Sequence, residues 1–314
     1  MIAYHASHEQ FAPSELLKLV QMAERAGFDA IHSSEHFQPW SERQGQSGHA
    51  FSWIAAAMQV CSLPFSMVCA PGPRHHPAIV AQALATINEL YPGRLDVELG
   101  SGEALNESII GEEWPEKNFR NERLLQSYRI INDLLSGKTI SFNGYVNVRN
   151  ARLYTLPRQK PKLFCAALSK ETSEWAGSWA DGLLTTGGDV DQVIEKRDAF
   201  FNNGGAGKPF YVQFAFSFAQ DRKQAIEGAF DQWRSNLVAA EKLSNLDSPA
   251  DFDREAQSIS IKEVEEKVPL YTDIEQVRDK AEEYFKAGAD RVILHNVNRE
   301  QQYFIKSYEK ILAK

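Results

Sequence analysis

One segment near the amino terminus combines three side chains able to do chemistry. Residues 33–40 read Ser-Ser-Glu-His-Phe-Gln-Pro-Trp. The imidazole of His36 titrates near neutrality and can take or give a proton at modest cost. The indole of Trp40 can stack on a planar ring or stabilise a developing cation. Because a lone histidine is more often a packed side chain, this interpretation depends on where the segment lies in the fold.

A second segment, residues 100–107, reads Gly-Ser-Gly-Glu-Ala-Leu-Asn-Glu. Its glycines allow the backbone to approach a ligand closely. Burial would raise the pKa of Glu103 and make it a proton donor. The alternative is a carboxylate that stabilises the amino terminus of a helix, which fits Glu107 better than Glu103.

A third segment, residues 185–189, reads Thr-Thr-Gly-Gly-Asp and leads into a predicted helix. The backbone N–H groups at such a helix start can bind phosphate. A simple helix cap by Asp189 is an equal alternative.

Strands and helices alternate along most of the chain, which predicts a parallel sheet. The strands are short and continuously apolar, as burial on both faces requires; we place them at 2–6, 29–32, 64–70, 95–99, 162–167, 183–186, 210–216 and 291–295. No terminal strand is polar enough for a sheet edge, so a closed (β/α)8 barrel is favoured over an open doubly wound sheet. The open sheet would also need a Gly-x-Gly-x-x-Gly motif after its first strand, and none is there. The three reactive segments follow strands, where barrel enzymes place their active sites.

We therefore predict an α/β fold of one domain, a (β/α)8 TIM barrel with insertions, over residues 1–314. Asn143-Gly144 between alternating runs indicates a β-hairpin, which we place in an insertion at 138–156. A polar stretch suggests a second insertion at 241–260.

Composition excludes several classes of function. With 34 basic and 42 acidic residues the formal net charge is −8, which disfavours nucleic acids and anionic membranes. The three cysteines are widely spaced, so neither a disulfide framework nor a metal-ligand pair is predicted. No apolar run reaches the length of a membrane span, and the amino terminus resembles no targeting signal. We expect a cytoplasmic protein that acts on a small molecule without a metal.

Residues 35–40 and 100–107, together with 10–13 and 76–83, resemble the luciferase-like monooxygenase superfamily, and within it the coenzyme F420-dependent glucose-6-phosphate dehydrogenase subgroup. The resemblance implies hydride transfer between an organic substrate and FMN or F420. It assigns the substrate-side base to His36, the acid to Glu103 and transition-state support to Trp40. It also implies that such barrels pair through their outer helices as homodimers.

Cofactor contacts are expected at the strand ends, and the resemblance further implies a non-proline cis peptide between Met67 and Val68. The expected cofactor-binding residues are Glu35, Met67, Val68, Ser101, Asn106, Ala167, Thr186, Gly187 and Gly188.

Two departures from the subgroup change the expected ligands. Ala167-Leu168 stands where the subgroup has Gly-Gly near the cofactor tail, and Asp189 stands where it has a phosphate-binding lysine. A carboxylate there would repel a sugar phosphate, so glucose 6-phosphate is not expected to be the substrate. Residues 40–48 resemble a sister group that uses FMN, so we expect FMN ahead of F420. The alternatives are an FMN-dependent monooxygenase that uses O2, a flavin-binding module without catalysis, and a cofactor-free hydrolase barrel.

Overall fold

The computed structural model describes residues 1–312. Its strands are β1 (Ile2–Ala6), β2 (Ala30–Ser33), β3 (Phe65–Cys69), β4 (Leu95–Leu99), β5 (Ile140–Phe142), β6 (Val148–Ala151), β7 (Leu163–Ala166), β8 (Leu183–Thr186), β9 (Phe210–Phe218), β10 (Leu270–Tyr271) and β11 (Arg291–Asn296). Its helices are α1 (Pro13–Arg25), α2 (Ala50–Val60), α3 (Pro77–Leu90), α4 (Ala104–Glu107), α5 (Lys117–Leu135), α6 (Lys170–Gly177), α7 (Val190–Phe200), α8 (Arg222–Trp233), α9 (Ala240–Leu243), α10 (Pro249–Glu255), α11 (Ile261–Lys267), α12 (Ile274–Lys286) and α13 (Gln301–Leu312).

Eight parallel strands close into a barrel in the order β1-β2-β3-β4-β7-β8-β9-β11. The ring closes where β8 pairs with β9 and β11 pairs with β1. β10 adds a short parallel partner to β9. The predicted (β/α)8 barrel is confirmed, and the open-sheet alternative is wrong. The strands are buried on both faces, because one side packs on the helices and the other fills the barrel, where buried polar side chains such as His5, His32 and Glu98 also lie.

Between α5 and β7, the strands β5 and β6 form an antiparallel hairpin in which Phe142 pairs with Val148. Residues 143–147 form the connection, so the turn is longer than the Asn143-Gly144 pair suggests. The described residues contain no helix long and apolar enough to cross a membrane.

The sequence from 224 to 240 predicts one continuous helix, and this prediction is wrong in the length of the helix. α8 ends at Trp233, and a 3-10 turn follows over Arg234–Leu237. Ser235 and Asn236 have modest helix propensity, so little opposes this break. The single-domain range and the bounds of both insertions stay predictions, and residues 313–314 of that range lie outside the described residues.

Candidate active site

The loops after β1, β2 and β4 bring three functional side chains together at the carboxyl end of the barrel. Nε2 of His36 lies 3.7 Å from Oε1 of Glu9. Nδ1 of His36 lies 3.2 Å from the amide nitrogen of Asn106. The side chain of His36 is 13% exposed and that of Glu9 is 4% exposed. The imidazole is therefore the more accessible member of the pair.

Asn106 fixes the hydrogen-bonding direction of His36. Its Oδ1 accepts hydrogen bonds from the backbone N–H groups of Phe37 (2.8 Å) and Gln38 (3.2 Å). Its amide nitrogen therefore points to His36 and donates to Nδ1. In the neutral ring the hydrogen then resides on Nε2, facing Glu9.

Glu9 is a candidate functional residue that the sequence analysis did not identify. Its Oε2 accepts hydrogen bonds from the hydroxyls of Ser7 (2.7 Å) and Ser34 (2.9 Å). Its Oε1 is buried and has no hydrogen-bond partner. Burial alone would raise the pKa of Glu9, but His36 and the Ser7 hydroxyl outweigh burial and lower it. The available signal was position, because Glu9 follows β1 directly and functional side chains of barrels follow strands.

Glu103 lies at the start of α4 and does not cap it through its side chain. Its Oε2 is buried and has no hydrogen-bond partner. Burial raises the pKa of Glu103, and the charge of His36 lowers it only in part. A carboxyl in this state can hold a proton for transfer.

Trp40 forms a wall next to the histidine. The rings of His36 and Trp40 are 5.0 Å apart between centroids, and Phe252 contacts the indole edge-on at 5.3 Å. Phe252 belongs to α10, inside the predicted insertion at 241–260. The Asp253 carboxylate accepts hydrogen bonds from the Ser41 hydroxyl (2.7 Å) and the Glu42 N–H (3.0 Å). This segment therefore supports the loop that carries Trp40, a contact that sequence analysis did not predict.

Glu35 is engaged by protein groups. Its carboxylate accepts two hydrogen bonds from Arg74, at 2.7 and 2.8 Å, and lies 3.1 Å from His75 Nε2. Arg74 Nε also donates to Glu107 at 2.9 Å. Burial alone would raise the pKa of Glu35, but Arg74 and His75 hold it well below its usual range. These contacts give Glu35 a structural role that accounts for its burial.

The two predicted β3 residues face opposite ways. Met67 packs in the layer between the strands and the helices, whereas Val68 packs with the side chains that fill the barrel. Residues 1–312 contain no cis peptide bond, so the expected cis bond between Met67 and Val68 is wrong. The trans form is the favoured form of a non-proline bond.

Gly187 and Gly188 surround the hydroxyl of Tyr284. A Cβ on Gly187 would lie 2.8 Å from that hydroxyl, which explains the glycine. The Gly187 N–H donates to the carbonyl of Gln213, and the Gly188 N–H donates to Tyr284. Both N–H groups are thus engaged, which weighs against the predicted phosphate contact there. Asp189 accepts a hydrogen bond from the Asp191 N–H at 3.0 Å and caps α7.

The remaining predicted cofactor positions differ in accessibility. Thr186 is exposed, Ser101 is half-buried and Ala167 is buried. The Ala167 carbonyl accepts a hydrogen bond from the Thr185 hydroxyl at 2.7 Å. Their roles in cofactor binding stay predictions.

Histidines form part of the barrel interior below the mouth. Nδ1 of His5 and Nδ1 of His32 lie 2.8 Å apart, so one ring donates to the other. His295 lies against His5 with ring centroids 4.0 Å apart. Glu98 lies 3.8 Å from His32, and burial raises the pKa of Glu98 to about 8. Burial lowers the pKa of His32 to about 3 and that of His295 to about 4, which keeps these rings neutral.

Residues 2–291 match the family model described as luciferase-like monooxygenase. A relative from Microbacterium testaceum, an F420-dependent glucose-6-phosphate dehydrogenase, is 32% identical over 99% of this chain and 96% of its own. An F420-dependent secondary alcohol dehydrogenase, solved with an F420-acetone adduct, is 26% identical with a TM-score of 0.90 and covers 99% of this chain and 97% of its own. A monooxygenase from Streptomyces bottropensis, 17% identical with a TM-score of 0.73 over 99% of this chain and 98% of its own, shares the fold.

Proposed function

The chain belongs to the luciferase-like monooxygenase family, and on that premise we propose that it transfers hydride between a small alcohol or ketone and a flavin-type cofactor. The observation that carries the proposal is the meeting of Glu9, His36 and Asn106 at the carboxyl ends of the strands. Barrel enzymes place their catalytic groups at this end.

Two glycines at the carboxyl ends of the strands leave room for a ligand to approach the backbone. A Cβ built on Gly100 or on Gly188 would meet no heavy atom within 4 Å, so both glycines border open space. Glu103 directs a buried, unpartnered carboxyl oxygen into the same end of the barrel. When bound, a flavin-type cofactor supplies the acceptor or donor of hydride, and the protein supplies orientation and proton transfer.

We propose F420 as the cofactor, with FMN as the second candidate. The names of the similar dehydrogenases favour F420. The residues that favour FMN are Ala167-Leu168, which stand where the F420-dependent subgroup has Gly-Gly. The difference matters chemically because a reduced flavin reacts readily with O2 and a reduced deazaflavin does not.

We propose that His36 donates a hydrogen bond to the substrate hydroxyl and that Glu9 accepts the proton of that hydroxyl. In the neutral His36 tautomer, Nε2–H is a donor, and a Glu9 carboxylate 3.7 Å away, which accepts hydrogen bonds from the Ser7 and Ser34 hydroxyls, is an acceptor. A substrate hydroxyl lying between them would accept a hydrogen bond from His36 and give its proton to Glu9. The carbon that bears this hydroxyl would lose its hydride to the cofactor, so the alcohol would become a ketone. We thus propose Glu9 as the base, a role that the resemblance alone would assign to His36.

Asn106→Asp tests this division. An aspartate would accept the hydrogen of Nδ1 and leave Nε2 as an acceptor, which reverses the tautomer. If His36 must donate, turnover falls by about 10²-fold while the cofactor affinity changes little. Asn106→Ala is the matched control, since it removes the constraint without reversing it. Full activity of Asn106→Asp would return the base role to His36.

The proposed function itself is tested on purified protein. We expect a bound cofactor that can be identified by its mass and its absorption spectrum. The absorption maximum should lie at about 420 nm for the deazaflavin or about 450 nm for FMN. Anaerobic addition of a small secondary alcohol should bleach that band, and glucose 6-phosphate should not. Oxidation by O2 coupled to oxygen insertion would identify a monooxygenase instead. Protein that binds neither ring would refute the proposal.

A further inference from the structure

Four ionisable side chains form a tier inside the barrel, directly below the carboxyl ends of the strands. His5, His32, Glu98 and His295 are each the last residue but one of their strand, on β1, β2, β4 and β11 respectively. Each of the four is buried, with at most 5% of its surface exposed. The proton chemistry proposed above uses none of them.

Three of these side chains are connected in a row through their polar atoms. Nδ1 of His5 lies 2.8 Å from Nδ1 of His32, and Nε2 of His32 lies 3.8 Å from Oε2 of Glu98. Nε2 of His32 and Oε2 of Glu98 are both buried without a hydrogen-bond partner. Because an unpaired buried polar atom is costly, a small shift that brings these two atoms into a hydrogen bond is favourable.

The short contact between the two Nδ1 atoms couples the protonation of Glu98 to the tautomer of His5. One of these nitrogens must donate and the other must accept, and a neutral imidazole carries one hydrogen. When Glu98 holds its proton, it donates to Nε2 of His32, so the hydrogen of His32 resides on Nδ1 and that of His5 on Nε2. When Glu98 is ionised, it accepts from Nε2 of His32, so the hydrogen of His5 resides on Nδ1 instead.

The surroundings keep both rings neutral and let Glu98 titrate. Burial lowers the pKa of His5 well below its usual value and that of His32 to about 3, whereas burial raises the pKa of Glu98 to about 8. The groups that face Glu98 are His32, Ser66, Asp96 and Arg291. The charged or titratable neighbours of the two rings are His8, His36, Arg291 and His295. A proton can therefore move along the row by a change of tautomer, without leaving a buried cation.

The end of the row at His5 lies close to the proposed base. His5 is four residues before Glu9 in the sequence, and Nε2 of His5 has no hydrogen-bond partner within residues 1–312. His295 contacts the His5 ring with 4.0 Å between centroids. Burial lowers the pKa of His295, and the charge of Glu9 opposes this effect. Resting on the proposed function, we propose that Glu98, His32 and His5 form a proton relay that exchanges the substrate proton between Glu9 and the barrel interior.

Each step of the relay moves one proton. In alcohol oxidation the substrate hydroxyl gives its proton to Glu9, and the carbon loses a hydride to the cofactor. Glu9 then protonates Nε2 of His5, Nδ1–H of His5 protonates Nδ1 of His32, and Nε2–H of His32 protonates Glu98. In ketone reduction every transfer runs in the opposite direction, and Glu98 supplies the proton. Once the product leaves, exchange with solvent at Glu9 resets the relay.

NMR of the histidine ring nitrogens in purified protein tests the coupling without any ligand. In wild type, the tautomers of His5 and His32 should switch together as the pH passes the titration of Glu98. In Glu98→Gln both rings should keep one tautomer over the same range, because the amide does not titrate. Tyr211→Phe is the matched control, since Tyr211 also packs inside the barrel but lies outside the row. Tautomers that do not change with pH in wild type would refute the relay.

The rate of ketone reduction in a single turnover tests the catalytic role. With reduced cofactor and ketone bound, wild type should slow as the pH rises past about 8, because Glu98 then has no proton to give. His32→Gln keeps a donor and an acceptor, but an amide does not change tautomer. This variant should be roughly tenfold slower and should lose that pH dependence. Glu98→Gln should behave in the same way, and Tyr211→Phe should behave like wild type. A purely structural role would leave the pH profile of His32→Gln unchanged.

The outcomes separate this proposal from the proposed function. If wild type binds neither FMN nor F420, or reduces no ketone with either, the proposed function fails, whatever the tautomers show. If wild type reduces a ketone and both glutamine variants keep its rate and pH profile, the function stands and the relay is refuted.

Discussion

Two groups of buried ionisable side chains lie at the same end of the barrel and differ in how completely they are paired. In the first group, Arg74 donates to both oxygens of Glu35 and to one oxygen of Glu107, so each carboxylate has a cationic partner, although the second oxygen of Glu107 is buried without a hydrogen bond. In the second group, Glu9 and Glu103 each leave one buried oxygen without a hydrogen-bond partner.

The difference indicates which group is structural and which is held for a ligand. Buried polar atoms are nearly always hydrogen-bonded, and leaving one unpaired costs stability. The first group meets this rule for both oxygens of Glu35 and for one oxygen of Glu107, and these bonds hold the loops after β2, β3 and β4 together. The second group meets it only when something binds, which is the condition expected of an active site.

The largest effect should come from the unpaired group. Replacing Glu9 with Gln keeps the size of the side chain and removes the base. We expect turnover to fall by about 10²–10⁴-fold, because proton transfer from the substrate hydroxyl is lost. Steady-state kinetics with the productive alcohol measure it.

Cofactor affinity and melting temperature serve as the controls for Glu9→Gln. Both should stay close to wild type, since the hydrogen bonds to Ser7 and Ser34 can be kept by the amide oxygen. Unchanged turnover would show that Glu9 is not the base. The unpaired carboxylates would then have no catalytic role to distinguish them from the paired group.

Substitution in the paired group should lower the free energy of unfolding rather than the turnover. Arg74→Met leaves the buried Glu107 carboxylate without a partner and Glu35 with only His75, and we expect a loss of about 3–5 kcal/mol in the free energy of unfolding. Urea denaturation measures it. Arg158→Met is the matched control, because the pair of Arg158 with Glu89 is exposed and its loss should cost less than about 1 kcal/mol. An equally small loss in Arg74→Met would mean that the first group is not structural.

The sequence was sufficient for the barrel and for part of this site. β4 and β8 lie at the predicted residues 95–99 and 183–186, although Asp96 and Glu98 interrupt the apolar residues of β4. His36 could be predicted as a candidate because it follows β2, and barrel enzymes place functional side chains directly after their strands. The pairing of Glu35 with Arg74 spans 39 residues and left no local pattern. The support of Trp40 by Phe252 likewise depends on tertiary packing that spacing does not encode.

Another buried carboxylate, that of Glu98, extends the comparison to the effect of pH on stability. Burial raises the pKa of Glu98 to about 8, above its value of about 4.3 in an unfolded chain. The fold therefore favours the protonated form, and the stability from this group is complete below about pH 4 and is lost as the pH rises towards 8. Between pH 6.5 and 8.5 we expect wild type to lose about 2 kcal/mol from this group.

Glu98→Gln should remove that loss, as followed by urea denaturation across the same pH range. The buried histidines act in the opposite direction, since their lowered pKa values reduce stability only as the pH falls below about 6.5. The difference between the variant and wild type above pH 6.5 therefore isolates Glu98, because the other buried groups are common to both proteins. An identical pH dependence in the variant and wild type would show that Glu98 is already ionised.

The smallest effect concerns Asp189, an exposed carboxylate at the same end of the barrel that serves the backbone. Asp189→Ala should cost about 1 kcal/mol, because the cap of α7 on the Asp191 N–H is lost. Asp189→Asn should cost almost nothing, since asparagine caps equally well. The two variants also separate the effect of the cap from the effect of the charge. If the carboxylate of Asp189 repels sugar phosphates, both variants should bind glucose 6-phosphate more tightly than wild type, and to a similar degree. A change in Asp189→Ala alone would trace the effect to the helix start rather than to repulsion.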